Sequence, residues 1–270
     1  MDRRPVGFFD SGIGGVTAIP HLMRMLPNES IIFFGDTART PYGSKSEETI
    51  RQFSSQIADF LIKNQCKMIV CACNTVTATA LNFLRYTYPQ VPFIGCISPT
   101  AKEVVKLVKR DAHIGIMATR ATCQSGTYER KIKEYAPALT VHSIACPALV
   151  PLIEEGIIDH AIMDLTLRYY LDDFVDRYAI DTMVLGCTHY PLVAPSIRRL
   201  YPTLNLFSSS REVATAVKLE LTQRKMLSDD PEPRSTFFAS DLSPHFVAMI
   251  ERILGKDKEE LNIGFKNLDI

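Results

Sequence analysis

The sequence predicts an α/β protein of two pseudo-symmetric domains, each a mainly parallel sheet flanked by helices. Three observations predict this fold: apolar runs of strand length alternate with helical stretches, the two halves resemble each other weakly, and the chain has 270 residues. A domain of about 150 residues is common, so this length suits two domains with a cleft between them. We place the first domain at residues 1–97 plus 208–270 and the second at residues 98–207.

The predicted strands are apolar throughout and are bounded by Gly, Asp, Asn or Pro, which is typical of strands buried on both faces. In chain order they are VGFF, SIIFFG, CKMIVCAC, VPFIG, HIGIMAT, LTVHSIAC, DTMVLGC and LNLF. The segment from Glu47 to Lys63 has its apolar residues on one stripe at helical spacing, so it is predicted to be a helix. The proline-rich acidic run from Ser228 to Arg234 is a candidate linker before a short C-terminal extension.

The two halves of the chain share a pattern. VGFFDSGIGG near the start is similar to HIGIMATRAT in the middle, and VCACNTVTATAL parallels VLGCTHYPLVAP. Parallel sheets of this kind bind ligands beyond the carboxyl ends of their strands. We therefore expect the functional residues just after the strands, with the active site in the cleft between the domains.

Composition excludes several classes of function. The 30 basic and 30 acidic side chains cancel, so neither a nucleic acid nor a membrane surface is an expected partner. Because the N-terminus leaves no room for a signal peptide and no segment reads as a membrane span, we expect a cytoplasmic protein. The seven cysteines lie singly in apolar runs, so most should be reduced thiols.

The first cysteine junction ends the apolar run MIVCAC. Cys73 precedes Asn74 and Thr75, and either of these residues can cap a helix. The positive end of a helix dipole lowers the pKa of a thiol from about 8.5, so Cys73 is predicted to be poised to take a proton. A cysteine in an apolar run is more often a small buried hydrophobe, and this is the role expected of Cys71.

The second junction, VLGCTHYP, repeats the pattern. Cys187 follows an apolar strand and precedes Thr188, read as a helix start, then His189 and Pro191 near the first turn. Moving the α-proton of an amino acid from one face to the other requires one group on each face. A pseudo-symmetric pair of cysteines supplies that arrangement, with His189 as a proton-transfer partner; a structural histidine is an equally good interpretation.

Two further turns follow strands. FFDSGIGG places Asp10 and Ser11 at a strand end before glycines that permit close backbone approach, so a small anion or ammonium could bind there. The spacing of these glycines is not that of a dinucleotide-binding fingerprint, and a Walker lysine is missing, so nucleotide binding is not expected. Gly35-Asp36 and the turn from Pro41 to Gly43 should lie at the same sheet edge, where a simple turn is an equally good interpretation.

Taken together, FDSGIGG, GDTARTPYG, CACNT, VPLIEEG and GCTHYP resemble the motifs of the glutamate racemase family, in order, from Val6 to about Ala216. The resemblance implies a two-domain α/β fold and a reaction that needs no cofactor and no metal. It implies interconversion of L- and D-glutamate, which supplies D-glutamate for peptidoglycan, the cell wall and cell shape. An apolar patch on either domain would support a homodimer.

The resemblance also implies roles for single residues. Cys73 and Cys187 would be the two proton donors and acceptors, assisted by Asp10, Glu154 and His189. The substrate contacts would be Asp10, Ser11, Tyr42, Gly43, Asn74, Thr75, Thr188 and His189, with Thr119 and Thr122 as further candidates. Backbone amides at helix starts would receive the substrate carboxylate. The chain departs from the family at Phe207-Ser208-Ser209, where Asp-Ser is expected.

Three alternatives stay open. A racemase for aspartate, hydantoins or another small acid would use the same cysteines with different pocket contacts. Cys71, Cys73, Cys187 and His189 could instead bind zinc, although the first two cysteines lack the usual C-x₂-C spacing. A protein that binds a small acid without chemistry is also compatible with this fold.

Overall fold

The computed structural model describes residues 1–268, so residues 269 and 270 of the predicted first domain lie outside the described residues. The strands are β1 (Val6–Asp10), β2 (Ile31–Gly35), β3 (Met68–Cys71), β4 (Phe93–Gly95), β5 (His113–Ala118), β6 (Thr140–Ala145), β7 (Thr182–Gly186), β8 (Asn205–Ser208), β9 (Ser235–Ala239) and β10 (Asn262–Phe265).

The helices alternate with the strands along most of the chain. The α-helices are α1 (Ile19–Met25), α2 (Glu47–Lys63), α3 (Asn74–Thr79), α4 (Leu81–Thr87), α5 (Ile97–Leu107), α6 (Arg120–Ser125), α7 (Thr127–Tyr135), α8 (Leu149–Glu154), α9 (Ala161–Arg177), α10 (Ala194–Leu200), α11 (Ser209–Gln223) and α12 (Pro244–Leu254). Short 3₁₀ helices span Gly14–Ala18, Thr37–Arg39, Tyr42–Ser44, Tyr190–Val193 and Lys258–Glu260. Within residues 1–268, no helix is long and apolar enough to cross a membrane.

Two parallel sheets organise these elements. The strand order is β10-β9-β2-β1-β3-β4 in the first sheet and β6-β5-β7-β8 in the second, and the paired strands run parallel. The order β2-β1-β3-β4 repeats as β6-β5-β7-β8, so β3 corresponds to β7 and β1 to β5. The predicted fold of two pseudo-symmetric α/β domains is therefore confirmed.

The predicted elements lie close to the observed ones. Each of the eight apolar runs contains a strand, although β3 ends at Cys71 rather than at Cys73. Helix α2 has the predicted bounds; Ser46 caps it by accepting a hydrogen bond from the Thr49 amide, and acidic residues fill its first turn. Its apolar stripe is buried on the first sheet.

The C-terminal segment contributes more than a short extension. After the loop at residues 228–234, β9 pairs with β2 and β10 pairs with β9, so this segment completes the first sheet. Phe237 in β9 is buried, and α12 covers the sheet with Phe246 and Ile250. The run from Ser228 to Arg234, predicted to be a linker before a short extension, is therefore a loop between α11 and β9 inside the first domain.

The chain passes between the sheets twice, through α5 and at the junction of β8 with α11. These two helices pack on each other, and a single apolar cluster includes Val6 of the first sheet, Val184 of the second and Val104 and Val217 of the two helices. The strands of the second sheet come from residues 113–208, and the division of the chain at residues 97 and 208 stays a proposal.

A buried ion pair fastens the amino-terminal edge of the first sheet. Lys67 Nζ lies 2.6 Å from Glu29 Oε2, and the two side chains are 0% and 2% exposed. The ammonium also donates to the carbonyls of Asp2 at 2.6 Å and Met226 at 2.7 Å, while the Ser228 amide donates to Glu29 Oε1 at 2.7 Å. The pair therefore joins the N-terminal segment and the loop before β9 to the sheet.

We expect Lys67→Met to lower the free energy of unfolding by about 3–5 kcal/mol, because it leaves the Glu29 carboxylate buried without its cation. Adding Glu29→Gln should recover part of this loss, since no charge then stays buried. Urea unfolding followed by circular dichroism measures both variants. Lys63→Met, at an exposed lysine, is the control and should stay within about 0.5 kcal/mol of the wild type. Equal stability of Lys67→Met and Lys63→Met would contradict this role.

Candidate active site

Cys73 lies between β3 and α3, at the carboxyl end of the first sheet. Helix α3 begins at Asn74, so Cys73 itself is the N-cap residue, and neither Asn74 nor Thr75 takes that place. The thiol is 4% exposed and its Sγ lies 3.5 Å from Ser11 Oγ. Cys71 is buried within the strand, as expected for a structural cysteine.

The electrostatic environment of Cys73 differs from the predicted one. Burial raises the pKa of Cys73 well above its usual range, and the nearby Asp10 raises it further, against smaller opposing effects of the Ser11 hydroxyl and the Val76 amide. The predicted lowering by the helix dipole is therefore wrong, because desolvation of the thiolate outweighs a helix of only six residues. In this conformation Cys73 is a thiol, which can donate a proton.

Cys187 occupies the corresponding place in the second sheet, directly after β7. The residue is 6% exposed, and its Sγ lies 3.8 Å from Nδ1 of His189. The other ring nitrogen of His189, Nε2, lies 2.5 Å from Oε1 of Glu154 at the end of α8. The thiol, the imidazole and the carboxylate therefore form a continuous polar chain.

The helix that follows Cys187 begins further along the chain than predicted. His189 is the N-cap residue of the 3₁₀ helix Tyr190–Val193, so Thr188 does not start a helix, while Pro191 lies in the first turn as predicted. Thr188 instead reaches towards the first domain and donates a hydrogen bond of 3.1 Å from its hydroxyl to Asp10 Oδ1.

The loop after β1 receives this contact. Asp10 is fully buried and accepts a second hydrogen bond, from the Gly12 amide, at 3.2 Å. A Cβ at Gly14 would lie 2.5 Å from Thr188 Oγ1 and 2.7 Å from His189 Nδ1, so a larger residue could not fit there. The glycines after β1 thus let the two loops meet.

Three titratable groups around the thiols are shifted. Burial lowers the pKa of His189, but hydrogen bonds with Cys187 and Glu154 and their negative charges raise it well above its usual value. Burial raises the pKa of Glu154, yet the bond to His189 and its charge bring it below its usual value. Burial raises the pKa of Asp10, although the His189 charge opposes this. These directions favour an imidazolium–carboxylate pair beside Cys187.

Hydroxyl groups from both domains meet beside Cys73. Thr75 Oγ1 lies 2.9 Å from Thr119 Oγ1 and 3.4 Å from Thr122 Oγ1, and the last two oxygens are 3.0 Å apart. A Cβ at Gly43 would lie 2.5 Å from Thr119 Cβ, so this close approach requires glycine. The predicted site residues are therefore brought together at the boundary between the domains.

Asp36 holds the turn that contains Tyr42 and Gly43. This buried carboxylate accepts hydrogen bonds from Tyr42 Oη, from Arg39 Nε at 2.8 Å and from Ser240 Oγ at 2.7 Å. Ser240 follows β9 and is not among the residues predicted from the sequence. Its position after the apolar run STFFA was the available signal, because β9 ends at the same edge as β1 and β2.

The segment Phe207-Ser208-Ser209 lies where β8 ends and α11 begins. Ser209 Oγ accepts a hydrogen bond of 3.5 Å from Asn74 Nδ2, so this segment reaches the residue next to Cys73 despite its departure from the family pattern. Asn74 is 2% exposed and lies between the two domains.

Two cavities lie near the domain boundary. One, of about 310 Å³, opens beside Glu154 and Thr40 and continues to His245 at the start of α12. A larger one, of about 640 Å³, lies among α4, α5, α7 and α11, and none of the predicted site residues lines it. Its size does not make it the reaction site, because it lacks the thiols.

The zinc alternative gains no support from the arrangement of potential ligands. Among the residues that the structure describes, no group of three or more His, Cys, Asp and Glu side chains is arranged to hold a metal ion. Cys71 belongs to the buried strand, whereas Cys187 and His189 contact each other.

Comparison with known proteins identifies relatives over the whole chain. A model of the Asp/Glu/Hydantoin racemase family matches residues 18–216. A glutamate racemase from Neisseria meningitidis is 42% identical over 262 residues, which cover 97% of this chain and 96% of that protein.

Solved structures are similar over their full length. The crystal structure of a glutamate racemase from Francisella tularensis in complex with D-glutamate has a TM-score of 0.91 and 35% identity and covers 100% of this chain and 99% of that one. A glutamate racemase isoform from Bacillus anthracis has a TM-score of 0.93 and 34% identity, with 100% of both chains covered. The resemblance inferred from the sequence motifs is confirmed. With its two cysteine junctions at the boundary of two pseudo-symmetric sheets, the chain belongs to the Asp/Glu/Hydantoin racemase family and is an isomerase.

Proposed function

We propose that this protein is a cofactor-independent glutamate racemase that interconverts L- and D-glutamate through two cysteines. The observation that carries the proposal is the placement of Cys73 and Cys187 after corresponding strands of the two sheets, with both thiols buried at the domain boundary. The relatives named glutamate racemase, at 34–42% identity over nearly the whole chain, support glutamate as the substrate.

The proposed reaction moves one proton at a time. The Cys187 thiolate takes the α-proton of L-glutamate: the Cα–H bond breaks, an S–H bond forms, and the electron pair delocalises into the carboxylate. The Cys73 thiol then donates its proton to the opposite face of the α-carbon and becomes a thiolate. D-Glutamate reacts by the reverse path, which restores the starting state.

The environments of the two thiols support these different roles. Nδ1 of His189, whose imidazolium Glu154 stabilises, lies 3.8 Å from the Cys187 Sγ, so a positive charge stands beside the proposed base. Burial and Asp10 raise the pKa of Cys73, which favours its thiol form as the proton donor. Two groups of one type thus act as base and acid because their surroundings differ.

The remaining predicted residues would bind the substrate. Ser11, Tyr42, Gly43, Asn74, Thr75 and Thr188 offer hydroxyls, an amide and backbone donors that could hold the two carboxylates, with Thr119 and Thr122 from the second domain. Because the thiols are 4% and 6% exposed, we propose that the domains part to admit glutamate and close to exclude water.

The proposal extends to the role in the cell. D-Glutamate made by this reaction would supply peptidoglycan synthesis and thus cell wall biogenesis and cell shape. Cytoplasmic residence and a homodimer stay predictions; the second is checked by light scattering of the purified protein.

Two other functions are distinguished by direct assay. A racemase for aspartate or a hydantoin would invert those compounds faster than glutamate, because the pocket contacts decide between small acids. A binding protein would bind glutamate without changing its configuration.

The two-cysteine mechanism predicts the effect of serine substitution. Wild-type protein should bring the circular dichroism of L-glutamate or D-glutamate to zero, since the enantiomers have equal free energy. Cys73→Ser and Cys187→Ser should each lower kcat/KM about 10²–10⁴-fold, because a hydroxyl replaces the acid–base group. Cys66→Ser, at a buried cysteine before β3, is the control and should retain activity.

Three outcomes would count against this proposal. An unchanged signal with folded wild-type protein would exclude glutamate as a substrate. Full activity of either serine variant would exclude the two-cysteine mechanism. In D₂O, product that retained the original α-proton would exclude donation by a second, solvent-exchanged thiol.

The contact between His189 and Glu154 predicts a change in pH dependence. Burial lowers the pKa of His189, and hydrogen bonds with Cys187 and Glu154 raise it. Glu154→Gln replaces the carboxylate with a neutral amide. The pKa of His189 should then fall, so the imidazolium should lose its proton at lower pH. We expect the alkaline limb of the kcat/KM profile to move to lower pH, and kcat/KM to fall about 10- to 100-fold, the scale of one hydrogen bond to a charged group.

The neighbouring Glu155 provides the control for this experiment. Glu155 is exposed and follows the same helix, so Glu155→Gln should leave the pH profile unchanged. An alkaline limb that stays in place in Glu154→Gln would show that the carboxylate does not tune His189.

A further inference from the structure

The side-chain amide of Asn74, next to Cys73, is held from two sides. Tyr128 Oη donates a hydrogen bond of 2.6 Å to Asn74 Oδ1, and Asn74 Nδ2 donates one of 3.5 Å to Ser209 Oγ. Each of these three residues is 2% exposed. The bond from Tyr128 is much the shorter, so it is the main restraint on the amide.

The tyrosine reaches Asn74 from the other domain. Tyr128 lies in α7, which packs beside α5 and β6, whereas Asn74 begins α3 after a strand of the first sheet. The Tyr128 ring belongs to the apolar cluster that includes Ile97 and Ile132. Packing therefore fixes the ring, and the ring fixes the position of its hydroxyl.

The donor role of this hydroxyl determines the orientation of the amide. Burial raises the pKa of Tyr128 well above 10, so the hydroxyl keeps its proton. With Oδ1 occupied by Tyr128, the NH₂ group of Asn74 must face away from α7. One of its hydrogens is directed to Ser209, and the second is free to donate to another acceptor.

We propose that Tyr128 is a positioning residue for substrate binding: its hydrogen bond orients the Asn74 amide so that the NH₂ group donates to a carboxylate of the amino-acid substrate. This inference rests on the proposed function, in which Asn74 contacts the substrate. Because the bond joins the two domains, it also couples the orientation of the amide to domain closure.

Tyr128→Phe tests the role, because it removes the hydroxyl and keeps the ring. KM for glutamate should rise about three- to tenfold, the scale of one lost hydrogen bond, while kcat stays within about twofold. A contact made equally in the ground state and the transition state affects KM in this way.

Tyr135→Phe is the matched control. Tyr135 lies in the same helix, is 44% exposed, and its hydroxyl lies 3.1 Å from Ser98 Oγ. Tyr135→Phe also removes a tyrosine hydroxyl, but at a site away from Asn74, so its KM for glutamate should equal that of the wild type.

A double-mutant cycle shows whether Tyr128 acts through Asn74. In an Asn74→Ala background, Tyr128→Phe should raise KM no further, because the amide that it orients is gone. Additive effects on KM, or an unchanged KM in Tyr128→Phe alone, would overturn the proposal. A lower Tm with unchanged KM would show that the tyrosine only stabilises the fold, which also overturns it.

The same assay separates the two levels of inference. Absence of glutamate racemisation by the wild type would count against the proposed function itself. Racemisation by the wild type with unaltered kinetics of Tyr128→Phe would count against the positioning role alone.

Discussion

The contact of Gly14 with Thr188 and His189 joins the two domains where their sheets end, and the geometry of the whole site depends on it. Because glycine has no Cβ, the loop after β1 can approach the loop after β7 until Thr188 bonds to the buried Asp10. A side chain at position 14 would overlap both residues and force the loops apart. Cys187 would then move away from Cys73, and the proposed proton transfer needs both thiols around one α-carbon.

The two halves share a strand order but not an electrostatic environment. Cys73 has a hydroxyl and a buried carboxylate as neighbours, whereas Cys187 has a histidine that is paired with Glu154. Burial opposes the thiolate at Cys73, while a histidine paired with a carboxylate lies beside Cys187. Repetition of the fold supplies matching positions after corresponding strands, and divergence of the loops after the strands surrounds those positions with different groups.

Much of this structure could be predicted from the sequence, because strands buried on both faces and the stripe of α2 are local patterns. The two cysteine junctions were predictable for the same reason: each follows such a strand. The pKa of Cys73 was not, since it depends on how completely the fold buries the thiol and on the approach of Asp10. Tyr128 and Ser240 were also missed, because each acts on a residue more than 50 positions away in the chain. β9 was not among the predicted strands, although the run STFFA is apolar, because the acidic, proline-rich loop before it suggested that only a short C-terminal extension followed.

The contacts between the domains differ on the two sides of the boundary. On the side where the chain passes between the sheets, α5 and α11 share one apolar cluster with both sheets. On the side of the site, hydrogen bonds join the domains, such as those between Asp10 and Thr188 and between Thr75 and Thr119. Each is worth about 0.5–1.5 kcal/mol, because water replaces the partner when the bond opens. Separation of the apolar cluster would expose several buried side chains at about 1.5–3 kcal/mol each. The proposed opening of the site would therefore be a rotation about α5 and α11 that leaves their apolar cluster packed.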